Sequence, residues 1–289
     1  MNGILNVYKE PGFTSHDVVA KLRGICKQKK IGHTGTLDPE ASGVLPVCLG
    51  NATKLCDLLT DKDKEYRAVL LLGVETDTQD TTGQILAEKE VNAGEEDVRS
   101  AILSFVGPYD QIPPMYSALK VDGQKLYEIA RRGGEVARKT RPITIEELTV
   151  LGEADGDYVL RVRCSKGTYI RTLCHDIGAA LGCGGVMSAL RRTEVGGYRV
   201  EDAHTMDELC ALPREAAQRL LLSVDSLWPD APQVTVDAKT ERLARCGNPF
   251  TLSAPDGTYR IYAASGEFLL LAQVTDGMAV TIKSFFEVS

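Results

Sequence analysis

Between residues 30 and 43 the chain obeys no hydrophobic period. Before this stretch, Asp17 sits in the first turn of a helix capped by Ser15, and Val18, Val19, Leu22, Ile25 and Cys26 follow at helical spacing. After it, Val44 to Leu49 reads as a buried strand. The segment between is dense in turn formers, with Gly32, Gly35, Pro39 and Gly43. Flanked by two packed elements, it has to be an ordered loop held by a rigid scaffold. The chain can supply that scaffold: 43% of its 289 residues are hydrophobic. At about 150 residues per domain it divides into two domains, or one large domain with an appendage.

The remaining pattern mixes strands and helices in an α+β chain. Ile4–Tyr8, Glu65–Gly73, Ile143–Leu151 and Tyr158–Cys164 read as strands, with Tyr158, Leu160, Val162 and Cys164 on one face of the last. Glu95–Val106 reads as an amphipathic helix, with Val98, Ile102 and Phe105 inward. Thr168–Leu181 is a stronger one, with Ile170, Leu173, Cys174, Ile177 and Leu181 on one stripe. Val186–Arg192 reads as a further helical piece. Gln111–Ser117 reads as a projecting loop, completed by a short helix at Gln124–Arg132 and a basic stretch to Arg141. A break falls at Trp228-Pro229, and short alternating runs separated by Asn-Pro and Asp-Gly turns follow it.

Several function classes fall away. No apolar run approaches the roughly 20 residues of a membrane span. The first residues carry neither a basic segment nor a long apolar one, so a cytoplasmic protein is expected. The eight cysteines form no Cys-x-x-Cys pair and the four histidines are scattered. Reduced core thiols, no disulfide, no metal and no cofactor are expected. The P-loop, EF-hand and nucleophile-elbow spacings are absent. The formal net charge of −7 rules out a uniform basic coat. Local basic groups remain, at Lys21–Lys30, at Lys125–Arg141 and among Arg161, Arg163, Lys166, Arg171, Arg191 and Arg192. They fit solvated faces or phosphate contacts.

Within the aperiodic loop, Asp38 precedes Pro39, which biases its backbone to an extended form. A carboxylate held this way can serve as nucleophile or general base. It can equally cap a turn in which Thr34 and Thr36 bond local amides.

Gly32-His33-Thr34-Gly35-Thr36-Leu37-Asp38-Pro39-x-Ala41-x-Gly43 resembles the signature loop of the TruB family of tRNA pseudouridine synthases. The likeness continues in family order through Gly50-Asn51-Ala52-Thr53-Lys54, Lys64-Glu65-Tyr66-Arg67, Thr76-Asp77-Thr78-x-Asp80-x-x-Gly83, Gln111 to Lys120, Ser165 to Leu173 and Leu190-Arg191-Arg192-Thr193. One departure stands out: the family's Lys-Pro-x-Gly appears as Lys9-Glu10-Pro11-Gly12, with its proline one place later.

The resemblance implies a catalytic domain over residues 1–229. Its central mixed, mainly antiparallel sheet would be flanked by helices, with an insertion at about 112–141 that clamps RNA. A small β-rich PUA-like domain would occupy 230–289. The implied reaction is isomerisation of uridine 55 in the tRNA T-loop to pseudouridine, by a monomer without metal or membrane. Asp38, Tyr66 and Arg171 would be catalytic, Arg171 pairing with and orienting Asp38. His33, Tyr169, Leu190 and Lys9 would bind substrate, His33 by stacking where the flipped base leaves a gap. A non-catalytic RNA-binding protein and a nucleoside or glycoside hydrolase using Asp38 are the competing readings.

Overall fold

A computed structural model describes residues 1–154 and 157–286. Ten strands form the larger sheet. They are β1 (Gly3–Lys9), β2 (Ile31–His33), β3 (Ser42–Leu49), β4 (Lys64–Leu72), β5 (Gly107–Gln111), β6 (Arg141–Ala154), β7 (Asp157–Cys164), β8 (Gly185–Val195), β9 (Tyr198–Arg199) and β10 (His204–Thr205). The spatial order is β10-β1-β3-β8-β4-β7-β6-β5, with β2 on β3 and β9 on β8. Only the β1/β10 and β3/β8 pairs are parallel. The sheet is therefore mixed and mainly antiparallel, as expected.

The longest helices that pack on this sheet are α1 (Ser15–Cys26), α2 (Glu95–Leu103) and α3 (Ile170–Ala180). Tyr158, Leu160, Val162 and Cys164 share one buried face of β7, and Ile170, Leu173, Cys174 and Ile177 of α3 cover it within one apolar core. On β4 the buried positions alternate, so Tyr66 stands on the same side as Ala68 and Leu70.

Two local readings are corrected. Val186–Arg192 is not helical but part of β8, the strand between β3 and β4. Its apolar positions, Val186, Met187 and Leu190, imitate helical spacing. Register breaks between Met187 and Ala189, and between Arg192 and Glu194, reset the strand's alternation. Likewise Thr14, not Ser15, caps α1. Its hydroxyl accepts from the Asp17 amide at 3.1 Å, and the Asp17 carboxylate accepts from the Thr14 amide at 2.8 Å. Ser15 is buried one residue inside the helix.

After the large sheet, β11 (Gln233–Thr235), β12 (Phe250–Thr251), β13 (Gly257–Tyr262), β14 (Phe268–Thr275) and β15 (Met278–Ser284) form a second, five-stranded sheet. Its core is apolar, built on Ile261, Leu269, Leu270, Ala272 and Val274. Trp228 packs its ring against Phe268 and Phe285, joining the second sheet to the first. All eight cysteines are free. Cys26, Cys48, Cys164, Cys174 and Cys183 are buried as expected, whereas Cys210 and Cys246 are exposed rather than in the core.

Candidate active site

The aperiodic loop is fixed from several sides. Leu37 and Ala41, 3% and 2% exposed, anchor it in the main core on either side of Asp38. Ser15 clasps Leu37: its hydroxyl accepts from the Leu37 amide at 2.9 Å and donates to the Leu37 carbonyl at 3.3 Å. Thr34 donates through its amide and its hydroxyl to the Pro46 carbonyl, at 3.2 and 3.1 Å. The Ala41 amide closes a turn onto the Asp38 carbonyl at 3.1 Å. Between two buried anchors the Asp38 carboxylate is left partly open, with its side chain 40% exposed.

Lys9 is where the structure departs most from its expected part. It is fully buried. Its ammonium donates to the carbonyls of Glu10, Pro39 and Ala41 at 3.0, 2.9 and 2.6 Å. All three donors are thereby taken by backbone, so Lys9 braces the Asp38 loop from beneath instead of facing substrate. Burial pulls the ammonium down to about 8, against the raising influence of Glu40, Asp38 and Glu10. The shifted proline does not disturb this bracing, because the Gly12 amide also reaches the Pro39 carbonyl, at 3.0 Å.

Arg171 enters from the start of α3. Its side chain is 6% exposed and makes a two-point contact with Asp38, Nε to Oδ2 at 3.0 Å and Nη2 to Oδ1 at 3.4 Å. The same guanidinium donates to the carbonyls of Thr78 at 3.0 Å and Tyr116 at 2.8 Å. Asp80 Oδ2 lies 3.7 Å away. A cation at a helix N-terminus opposes the helix dipole, and these two carboxylates offset that cost. Asp80 is one of the residues that reading the sequence missed as part of the site. Its other oxygen accepts from Thr78 and Thr82, which shapes the turn that presents the Thr78 carbonyl. The signal was present in Thr76-Asp77-Thr78-x-Asp80, but spacing alone does not say which side chain such a turn meets.

Tyr169 precedes α3 and is held by Gln111. The Gln111 side chain accepts from the Tyr169 amide at 2.8 Å and donates to the Tyr169 carbonyl at 3.1 Å, as a neighbouring strand would. This clamp, 1% exposed, fixes the entry to α3 and hence the place of Arg171. Tyr66 lies on the floor of the site, 8% exposed, in the same core as Leu37. Burial pushes its phenol up to about 12, against the lowering charge of Arg192. Leu190 packs half-buried against that core.

His33 stands apart on β2. Its Nδ1 accepts from the Gly35 amide at 3.4 Å. Burial, and after it Arg192 and His16, hold the ring below its usual range. It borders an open hollow of about 520 Å³ also lined by His16, Arg23, Lys29 and Lys30. The larger hollow of about 770 Å³, lined by Lys62, Glu65, Arg163 and Glu194 among others, contains none of the seven expected site residues. Among the described residues no cluster of metal-ligating side chains occurs, and no helix is long and apolar enough to cross a membrane.

Comparison with known proteins places the chain in a family and its fold among solved structures. The profile of the TruB family pseudouridylate synthase N-terminal domain matches residues 23–170. That of the tRNA pseudouridylate synthase B C-terminal domain matches 171–228. The tRNA pseudouridine synthase B of Lachnoclostridium phytofermentans is 54% identical over 258 residues, 86% of this chain and 84% of that protein. The protein of the same name from Thiobacillus denitrificans is 45% identical over 285 residues, 97% of this chain and 94% of that one. Among solved structures, a chain of a Cbf5-Nop10-Gar1 complex superposes with a TM-score of 0.72 at 28% identity, covering 98% of this chain and 85% of that one. A chain of an H/ACA RNP bound to a substrate RNA containing 2′-deoxyuridine gives 0.70 at 25%, covering 99% and 85%. The chain belongs to the TruB family of pseudouridylate synthases, and its fold is the pseudouridine synthase fold.

Proposed function

We propose that this enzyme acts on tRNA as the isomerase that converts uridine 55 of the T-loop to pseudouridine, with Asp38 as the reacting carboxylate. The two-point Asp38–Arg171 contact on an anchored loop carries this reading. It leaves one aspartate half-open to substrate, with its lone pairs aimed by a cation that is itself buried. The names of the relatives support tRNA as substrate.

The uridine is extruded from the T-loop before it can react. Asp38 attacks the nucleotide or removes a ribose proton, and the glycosidic bond breaks. The freed uracil turns and its C5 bonds to C1′ of the ribose, as Asp38 either leaves that carbon or returns to C2′ the proton it took. Tyr66 stacks on the base and takes the C5 proton, while N1 gains a proton from water, so atoms balance without redox or hydrolysis. Leu190 and Tyr169 wall the base. His33 fills the place the base vacates, and Arg23, Lys29 and Lys30 around its hollow contact phosphates. The 112–141 insertion clamps the T-arm. The Tyr116 carbonyl at its root is bonded to Arg171, which ties the clamp to the reacting centre.

The test is tritium release from tRNA carrying 5-tritiated uridine. One equivalent per tRNA is expected, mapping to position 55. Free uracil in the product would mean hydrolysis, and tight binding without release would mean an RNA-binding protein.

A further inference from the structure

Arg192 is the largest of the fully buried side chains, 1% exposed, and the reaction outlined above gives it no task. Nε donates to the Val44 carbonyl at 2.8 Å and Nη2 to the Gly35 carbonyl at 3.2 Å. Among the described residues no carboxylate pairs with it, and the one side chain that favours its protonated form is Tyr66. A buried cation matched only by carbonyl dipoles is costly to fold around.

Its placement is tightly set. Arg192 is the cross-strand partner of Tyr66 between β8 and β4. Directly opposed residues of an antiparallel pair project from the same face, with Cβ atoms about 5 Å apart. That register puts the guanidinium where its charge acts on the phenol. On the other edge of β8, Arg192 is registered with Gly43 of β3. A Cβ on Gly43 would come within 2.1 Å of the Arg192 carbonyl oxygen, and Gly43 has φ +114, so only glycine permits this approach. The charge also reaches other groups, since Arg192 contributes to lowering His33, Lys9 and Lys64. The floor of the site therefore carries positive charge without a carboxylate assigned to it.

We propose that Arg192 is a positioning residue for proton removal from C5, acting through Tyr66. This rests on the reading of Tyr66 as the group that takes that proton. Arg192 donates to the phenol oxygen and balances the charge of the tyrosinate. Once C5 has bonded to the ribose, the tyrosinate takes the C5 hydrogen as a proton. The C5–H electron pair forms the C5=C6 bond, the C6=N1 pair moves to N1, and N1 takes a proton from water. The phenol then returns its proton to solvent. The groups facing Tyr66 are Arg192 from β8, Cys164 from β7 and Asp38 from the loop, and of these Arg192 alone favours the tyrosinate.

The experiment uses the full chain, with Arg192→Gln and Arg192→Lys, and follows tritium release in single turnovers from neutral to alkaline pH. Circular dichroism and tRNA binding give the folded fraction. For Arg192→Gln, release per folded molecule is expected to fall by about 100-fold, with tRNA affinity retained and the rising limb of the pH profile displaced to higher pH. Arg192→Lys falls between Gln and wild type in both respects. Replacing Tyr66 by 3-fluorotyrosine, a more acidic phenol, restores much of the rate to Arg192→Gln and moves its limb back. If Arg192→Gln does not fold, the same comparison is made with Arg192→Lys. An unshifted limb, a rate loss that only tracks the folded fraction, or no restoration by fluorotyrosine would each overturn the proposal. Tyr66→Phe separates the two failures. If it releases tritium at the wild-type rate, the reading of Tyr66 falls and this proposal with it. If it is inactive while Arg192→Gln behaves as wild type, the role of Arg192 alone is refuted.

Discussion

The two sheets bury different chemistry. In the larger one, Lys9, Thr34, Gln111, Arg171 and Arg192 are all buried, and each holds the Asp38 loop or the start of α3. In the five-stranded sheet no polar or charged residue is buried, tyrosines aside, among those described, and its core is Ile261, Leu269, Leu270 and Val274. Apolar packing tolerates many side chains of similar volume. A buried ammonium or guanidinium tolerates few arrangements, because every donor needs an acceptor at a fixed distance. The larger sheet therefore carries the costly groups where a carboxylate must be aimed, while the smaller one encloses an apolar core.

The sharpest way to break this contrast is Asp38→Asn, which is expected to lower turnover by about 10⁴-fold or more while tRNA binding stays within a few-fold. Retained tritium release would remove Asp38 from the chemistry. Arg171→Ala is expected to cost about 10²- to 10³-fold in kcat, far more than it costs in affinity. Equal losses in both would make Arg171 a binding residue. Lys9→Met removes a brace and not a reacting group. We expect a stability loss of about 1–3 kcal/mol from the orphaned carbonyls and a kcat loss smaller than for Arg171→Ala. A change in tRNA affinity alone would return Lys9 to the substrate-binding part read from the sequence. In the smaller sheet, Leu270→Ala is expected to cost about 2–5 kcal/mol in denaturant titration, with turnover per folded molecule unchanged. A large kcat effect there would show that the two sheets are coupled in catalysis.

Much of this was legible in the residues. The strands β4 and β7 and the helix α3 follow directly from periods of two and 3.6, because each packs one face on the core, while β1 and β3, buried on both faces, read as short continuous apolar runs. β8 was misread because two register breaks in a single strand erase the period that identifies it. The pairing of Asp38 with Arg171 followed from the family likeness, and the structure brings the two together at 3.0 Å. Asp80, Gln111 and Arg192 were not legible as site residues. What each does depends on a partner distant in sequence, such as Arg171 for Asp80 and Tyr169 for Gln111.

By itself, then, the sequence determined the α+β pattern and the candidate carboxylate, since these depend on local spacing and on residue type, whereas Ile31–His33, read as part of the loop, is a strand paired with β3. Tertiary structure alone decided that Lys9 faces backbone carbonyls instead of substrate, that Ser15 clasps Leu37 instead of capping a helix, and that Arg192 lies opposite Tyr66. The physical reason is the same in each case. A polar side chain inside a protein takes whichever partner the fold leaves within about 3 Å, and which partner that is depends on strand order and register, which no local period encodes.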